Sequence, residues 1–229
     1  MAIIEQWGVP LAVAGMLLAT LLMSALVKRY QEHQVLVRAR LQRLGHSVHA
    51  LEQALDVLRT VPLSREMRVL LRGELLARLQ RMARLSRRYP GIRQRIGEAE
   101  TALNAEGAPN AAGVGPIDDE PMFRRIVHAI DELTEVFAFG DTLQRVPPDV
   151  REIFRRELGE RRAEVHARFH LVQSVKRRKT GDTSRARAHL KTLLHVLRRR
   201  GPSTDFVREL YAEAEAALTS LSQSEMPVA

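Results

Sequence analysis

His166 and His170 stand four residues apart, and on a helix that spacing puts two imidazoles on one face, as two metal ligands require. His46 and His49 are three apart. Neither pair completes a site. No Glu lies between or beside His166 and His170 in the H-E-x-x-H sense, no third ligand is identifiable, and Arg162 and Arg168 would repel a cation. The expectation is solvated or core-edge histidines, with no metal and no cofactor. His189 and His195 lie in a basic stretch and add positive charge at low pH.

Hydrolytic chemistry fares no better. G-x-S-x-G and S-x-x-K are both missing, and the chain has no cysteine, which removes thiolate metal sites, disulfides and cysteine nucleophiles together. Asp118-Asp119 sit in the Gly/Pro-rich stretch 106–119, where an acid–base pair would lack a dry pocket. The pair Gly113, Gly115 lacks the spacing of a phosphate-binding loop and follows no strand. Glu157, Glu160 and Glu164 are interleaved with Arg155, Arg156, Arg161 and Arg162. The i,i+4 pairs Glu157–Arg161 and Glu164–Arg168 predict a solvated, salt-bridged helix face. No residue is assigned a catalytic role, and the chain reads as a non-enzyme.

What remains is cationic. Lys176, Arg177, Arg178 and Lys179 form one run, Arg185, Arg187 and Lys191 follow, and Arg198, Arg199 and Arg200 close the block. Such residues can attract anionic headgroups or the phosphates of nucleic acid. They can also complement helix dipoles from a solvated face. Residues 148–202 hold sixteen Lys and Arg against six Asp and Glu, a net of +10, whereas the whole chain carries +9, so the basic character belongs mainly to this block. No DNA-reading motif, stacking platform or zinc finger accompanies it.

Helices must position these groups. Aromatics are only 4% of the chain, and Leu, Ala, Arg and Glu dominate, so an all-α fold with almost no strand is expected. Residues 9–27, VPLAVAGMLLATLLMSALV, carry no charge and are followed at once by Lys28-Arg29. Nineteen residues approach the ~20 that a helix needs to cross a hydrocarbon core. The run lacks a basic n-region and an Ala-x-Ala cleavage site, which predicts a retained single-pass anchor over 1–28. The positive-inside bias, with Lys28, Arg29, Arg38, Arg40 and Arg43 after the run, predicts a short N-terminus outside and a cytoplasmic C-terminal body at a bacterial-type inner membrane. Trp7 suits an interfacial position or is incidental.

Val37, Leu41, Leu44, Val48, Leu51, Leu55 and Leu58 recur at spacings of four and three, an a/d seam continuing from the anchor. The seam fits either a parallel homodimer or packing on the next helix of the same chain. The stripe Met67, Leu71, Leu75, Leu79, Met82 and Leu85, preceded by the N-cap candidate Ser64, favours the second. Residues 29–105 thus read as a helical hairpin or coiled-coil-like region, with a short helix near 91–105. Residues 106–119 read as a Gly/Pro/Ala linker or mobile loop. Over 120–222 a C-terminal helical bundle or repeat-like domain is expected, with stripes at Ile126, Ile130, Leu133 and Phe137, then Val150, Phe154, Leu158, Val165, Phe169, Val172 and Val175. Ala186, Leu190, Leu193, Leu194 and Leu197 continue the pattern, as do Phe206, Leu210, Ala214, Ala217 and Leu221. Residues 223–229 read as a frayed tail.

Gly181-Asp182 followed by Ala186, Leu190 and Leu193 resembles the second half of a tetratricopeptide repeat unit over about fifteen residues. The preceding helix departs from that pattern and no 34-residue period recurs, so the resemblance implies only a helix-turn-helix packing. The expected function is a membrane-anchored scaffold, adaptor or accessory subunit that presents a helical surface to another protein. The alternative is a membrane-tethered binder of nucleic acid or anionic lipid through 176–200.

Overall fold

A computed structural model describes residues 2–86, 89–107, 113–139 and 146–223, with backbone alone for 2–15, Ala19 and Phe139. The frayed tail expected at 223–229 falls almost wholly outside these residues. Among them there are seven α-helices and no strand. They are α1 (Ala2–Val57), α2 (Arg65–Leu85), α3 (Ile92–Asn104), α4 (Glu120–Phe139), α5 (Pro148–Lys179), α6 (Thr183–Arg200) and α7 (Asp205–Gln223).

The punctuation follows side-chain chemistry. Ser64 Oγ accepts from Met67 N at 3.3 Å and caps α2, and Asp119 Oδ2 accepts from Met122 N at 3.1 Å at the start of α4. Pro148 opens α5, where a missing N–H costs nothing. At its other end Gly181 adopts φ 76°, Gly181 N donates to Arg178 O at 3.0 Å, and Asp182 N donates to Arg177 O at 2.9 Å. This is a Schellman stop. Asp182 Oδ1 then accepts from Arg185 N at 3.0 Å and starts α6. The Gly-Asp pair therefore ends one helix and begins the next, and Ala186, Leu190 and Leu193 of α6 are buried.

One hydrophobic cluster runs from Val48 to Phe169 and draws on α1 through α5. All four residues of the α4 stripe are buried in it. The heptad seam divides. Val48, Leu51 and Leu58 are buried in this intrachain core, Leu41, Leu44 and Leu55 pack on it half-buried, and Val37 is half-buried further out. The buried seam positions face their own chain and are closed to a second copy. A smaller cluster joins Ala163 and Ala167 of α5 to Leu193, Leu197, Val207, Leu210 and Ala214.

Several expectations change. The segment read as a linker or mobile loop, where described, is fixed to the body: Val114 and Ile117 are buried in the large cluster. Glu106 pairs with Arg68 (2.7 Å) and with Arg72. Burial alone would raise the Glu106 pKa, but the two guanidiniums overcome it and hold the carboxyl below its ordinary range. Val175, expected inside, is exposed. Glu74 and Arg78, which look like an ordinary surface pair in sequence, form a buried salt bridge of 2.9 Å, and Arg78 also reaches Ser47 O at 3.3 Å.

Among the described residues, no helix is long and apolar enough to cross a membrane. Much of the run 9–27 lies outside the described side chains, which begin at Met16. From Met16 to Val27 a helix extends only about 18 Å, short of a ~30 Å hydrocarbon core. Met16, Leu17, Leu18, Leu21, Leu22, Met23, Leu26 and Val27 are all exposed, from 51% to 74%. No described residue of the body covers this part of α1.

Candidate functional site

The antiparallel hairpin of α5 and α6 divides the basic block into two places. At its tip, Lys176 to Lys179 end α5 while Arg185, Arg187 and Lys191 begin α6. Part of this tip is structural. Lys176 pairs with Asp118, and the neighbouring Gln173 Nε2 donates to Asp118 O at 2.8 Å, fastening the start of α4 to α5. Arg185 lies 3.3 Å from Asp182. Arg177 is half-buried beside His189. Arg178, Lys179 and Lys191 are exposed, with no acid paired to them among the described residues.

Arg198, Arg199 and Arg200 lie at the other end of the hairpin, at the C-terminus of α6. Here the sequence reading missed three residues. Arg155, Arg156 and Arg162 of α5 join Arg199 and Arg200 around an open cavity of about 620 Å³, which Gly201, Pro202, Ser203 and Thr204 complete. Arg162 Nε is 2.8 Å from Asp131 Oδ1 and Arg155 is 3.0 Å from Glu152. Arg198 turns instead to a neighbouring hollow with Arg208 and Tyr211.

Among the described residues the two i,i+4 pairs expected on α5 give way to other partners, most of them distant in sequence. Glu157 accepts from the N–H and, at 2.7 Å, from the hydroxyl of Ser64, and so ties α5 to the start of α2. Buried Glu164 accepts from Val114 N at 2.9 Å and pairs with Arg161 at 2.6 Å. The Arg161 guanidinium carbon in turn stands 5.6 Å from the centre of the Phe206 ring. Arg168 lies 4.0 Å from Glu213. The acids of α5 thus hold other elements to it, which leaves the neighbouring arginines with fewer acids than their sequence neighbourhood suggests.

Comparison with protein-family models, with curated proteins and with solved structures returns no match.

The histidines gather on the aromatic seam between α4, α5 and α6. His166 meets Phe123 edge-on at 5.0 Å, Phe123 stacks on Phe169 at 4.1 Å, and His170 Nδ1 lies 3.2 Å from His189 Nδ1. Among the described residues no group of three His, Asp or Glu is placed to hold a metal. Both His166 nitrogens are buried without a hydrogen-bond partner. Burial, reinforced by the charges of Arg162, His170 and Arg200, lowers the His166 pKa to about 3. Burial and then His189 lower His170 to about 4. His189 is lowered by burial and by Arg177, against a smaller opposing effect of Glu120. These imidazoles are neutral packing elements near pH 7. His46 and His49 are exposed on α1 and do not join them.

Proposed function

We propose that this chain is a non-catalytic, membrane-anchored scaffold, adaptor or accessory subunit. Residues 9–27 hold it in an inner membrane, the short N-terminal segment lies outside, and the helical body faces the cytoplasm and offers its surface to another protein. The observation that carries this reading is the projecting part of α1, where eight large apolar side chains between Met16 and Val27 are exposed, with no described residue of the body covering them. In water so long an apolar patch is unfavourable, at roughly 25 cal/mol per Å² of apolar surface left exposed. A lipid phase removes that cost. Lys28 and Arg29 follow where a cytoplasmic headgroup layer would receive them.

Anchoring also supplies a mechanism. Confinement to a surface raises effective concentration, so modest contacts suffice for recruitment. From Lys28 to half-buried Leu41 the helix spans about 20 Å at ~1.5 Å per residue, which sets the body off from the anchor. The test is membrane extraction of the full chain beside a variant lacking residues 1–28. The full chain resists alkaline carbonate and the truncated chain is recovered in the soluble fraction as a folded helical protein. Release of the full chain by carbonate refutes the anchor; an unfolded truncated chain refutes the separable body.

A second reading, a membrane-tethered binder of nucleic acid or anionic lipid through 176–200, is favoured by the unpaired Arg178, Lys179 and Lys191 at the hairpin tip. It requires binding that falls steeply with salt and is lost on charge reversal at those three positions.

A further inference from the structure

The cavity between α5 and the α6–α7 connection carries more charge than the fold uses. Five arginines line it against two acids, Asp131 and Glu152, and each acid is already paired with one of them. Arg156, Arg199 and Arg200 have no paired acid among the described residues and all three are exposed. Arg199 and Arg200 complement the dipole at the end of α6. Arg155, Arg156 and Arg162 come from the interior of α5, where no helix end calls for them. We propose that this cavity binds a soluble anion carrying more than one phosphate group.

The chemistry fits that class. A guanidinium meets phosphate oxygens with two parallel N–H donors, and three such forks from two helices suit a ligand with several oxygens on linked centres. A single carboxylate would leave two of the three cations unneutralised. Ser203 and Thr204 add hydroxyls on the same rim. Among the described residues no aromatic side chain lines the cavity, so the phosphates, not a stacked ring, are what it recognises. At about 620 Å³ it has room for a pyrophosphate with its remaining water. The site does not depend on the anchor.

The experiment is calorimetric titration of the full chain in non-ionic detergent with inorganic pyrophosphate at about 0.15 M salt, where long-range attraction is screened. Two charge-matched variants accompany it: R156Q/R199Q/R200Q in the cavity and R178Q/K179Q/K191Q at the hairpin tip. All six side chains are exposed, and none makes an ion pair that the fold relies on. Saturable binding with Kd below about 1 mM, weakened at least tenfold in the cavity variant and less than twofold in the tip variant, is the expected result. Equal weakening in both variants, or no saturation up to about 5 mM, overturns the proposal, since a diffuse positive field would then account for any attraction. A parallel arm uses phosphatidylcholine vesicles with and without phosphatidic acid. Cavity-dependent binding to the acidic vesicles that pyrophosphate does not displace also overturns it, in favour of a lipid headgroup.

Discussion

Acid should destabilise this protein well before its carboxylates protonate. His166 and His170 sit between α4, α5 and α6 with pKa values lowered to about 3 and about 4, against about 6.5 in an unfolded chain. Between those limits the unfolded chain binds protons that the folded chain refuses. Stability is therefore full above about pH 6.5 and falls as pH drops toward the folded values. The slope is about 1.4 kcal/mol per pH unit for each imidazole, so moving from pH 6.5 to 5 costs on the order of 2 kcal/mol per ring. Glu106, whose pKa is lowered, contributes stability that is lost only below the ordinary carboxylate range, so the window from pH 7 to 5 belongs to the histidines. Urea unfolding followed by circular dichroism at constant ionic strength measures the slope. His166→Leu is the decisive variant. Both ring nitrogens lack partners, so leucine removes no hydrogen bond and leaves stability at pH 7 equal or slightly higher. With His170 and His189 still lowered, it should also flatten the dependence between pH 7 and 5 by roughly a third to a half. An unchanged slope in that variant, or a native protein that gains stability on acidification, refutes the reasoning.

Other substitutions test the packing. Glu74→Ala removes the buried carboxylate that neutralises Arg78 and should cost about 3–5 kcal/mol in urea unfolding, while Glu74→Leu with Arg78→Met should cost less than either single change. Gly201→Ala places a Cβ 2.5 Å from Leu197 O and 2.8 Å from Val207 Cγ1, so the melting temperature should fall by at least about 4 °C. Gly45 lies inside α1 with only Met82 Cε near the added atom, at 4.0 Å. Gly45→Ala should therefore raise stability by up to ~1 kcal/mol, read as a higher urea midpoint, and a loss would mean that α1 packs more tightly on α2 than this distance implies.

The elements were legible because their ends are marked by residues with local effects. Ser64, Pro148 and the Gly181-Asp182 pair act on neighbours within four positions, and a one-dimensional reading sees that far. The stripe Ile126, Ile130, Leu133 and Phe137 was equally plain, since a single face of one helix contains all of it. The interactions that build the site were not. Glu157 and Glu164 each have an arginine at i+4, yet they bond to Ser64 and Val114, 93 and 50 residues away. A backbone N–H drawn out of water needs its acceptor more than a guanidinium that keeps solvent contact does, and sequence spacing carries no record of that need. Arg155, Arg156 and Arg162 join Arg199 and Arg200 only because the hairpin folds back on itself. Val114 and Ile117 are two apolar residues in a stretch of glycine, proline and aspartate, too few to show a period, and their burial is set by residues distant in sequence, among them Glu164, which accepts from Val114 N.

The continuity of α1 has a geometric consequence. One unbroken helix leads from the exposed apolar residues at 16–27 to the core at Val48 and beyond. The number of residues between them acts as a dial. Each residue inserted there turns the body about the helix axis by about 100° and moves it outward by ~1.5 Å, whereas seven insertions return it close to its starting azimuth some 10 Å further out. The direction in which the arginine-lined cavity faces, relative to whatever grips the apolar end, is thus written in a residue count.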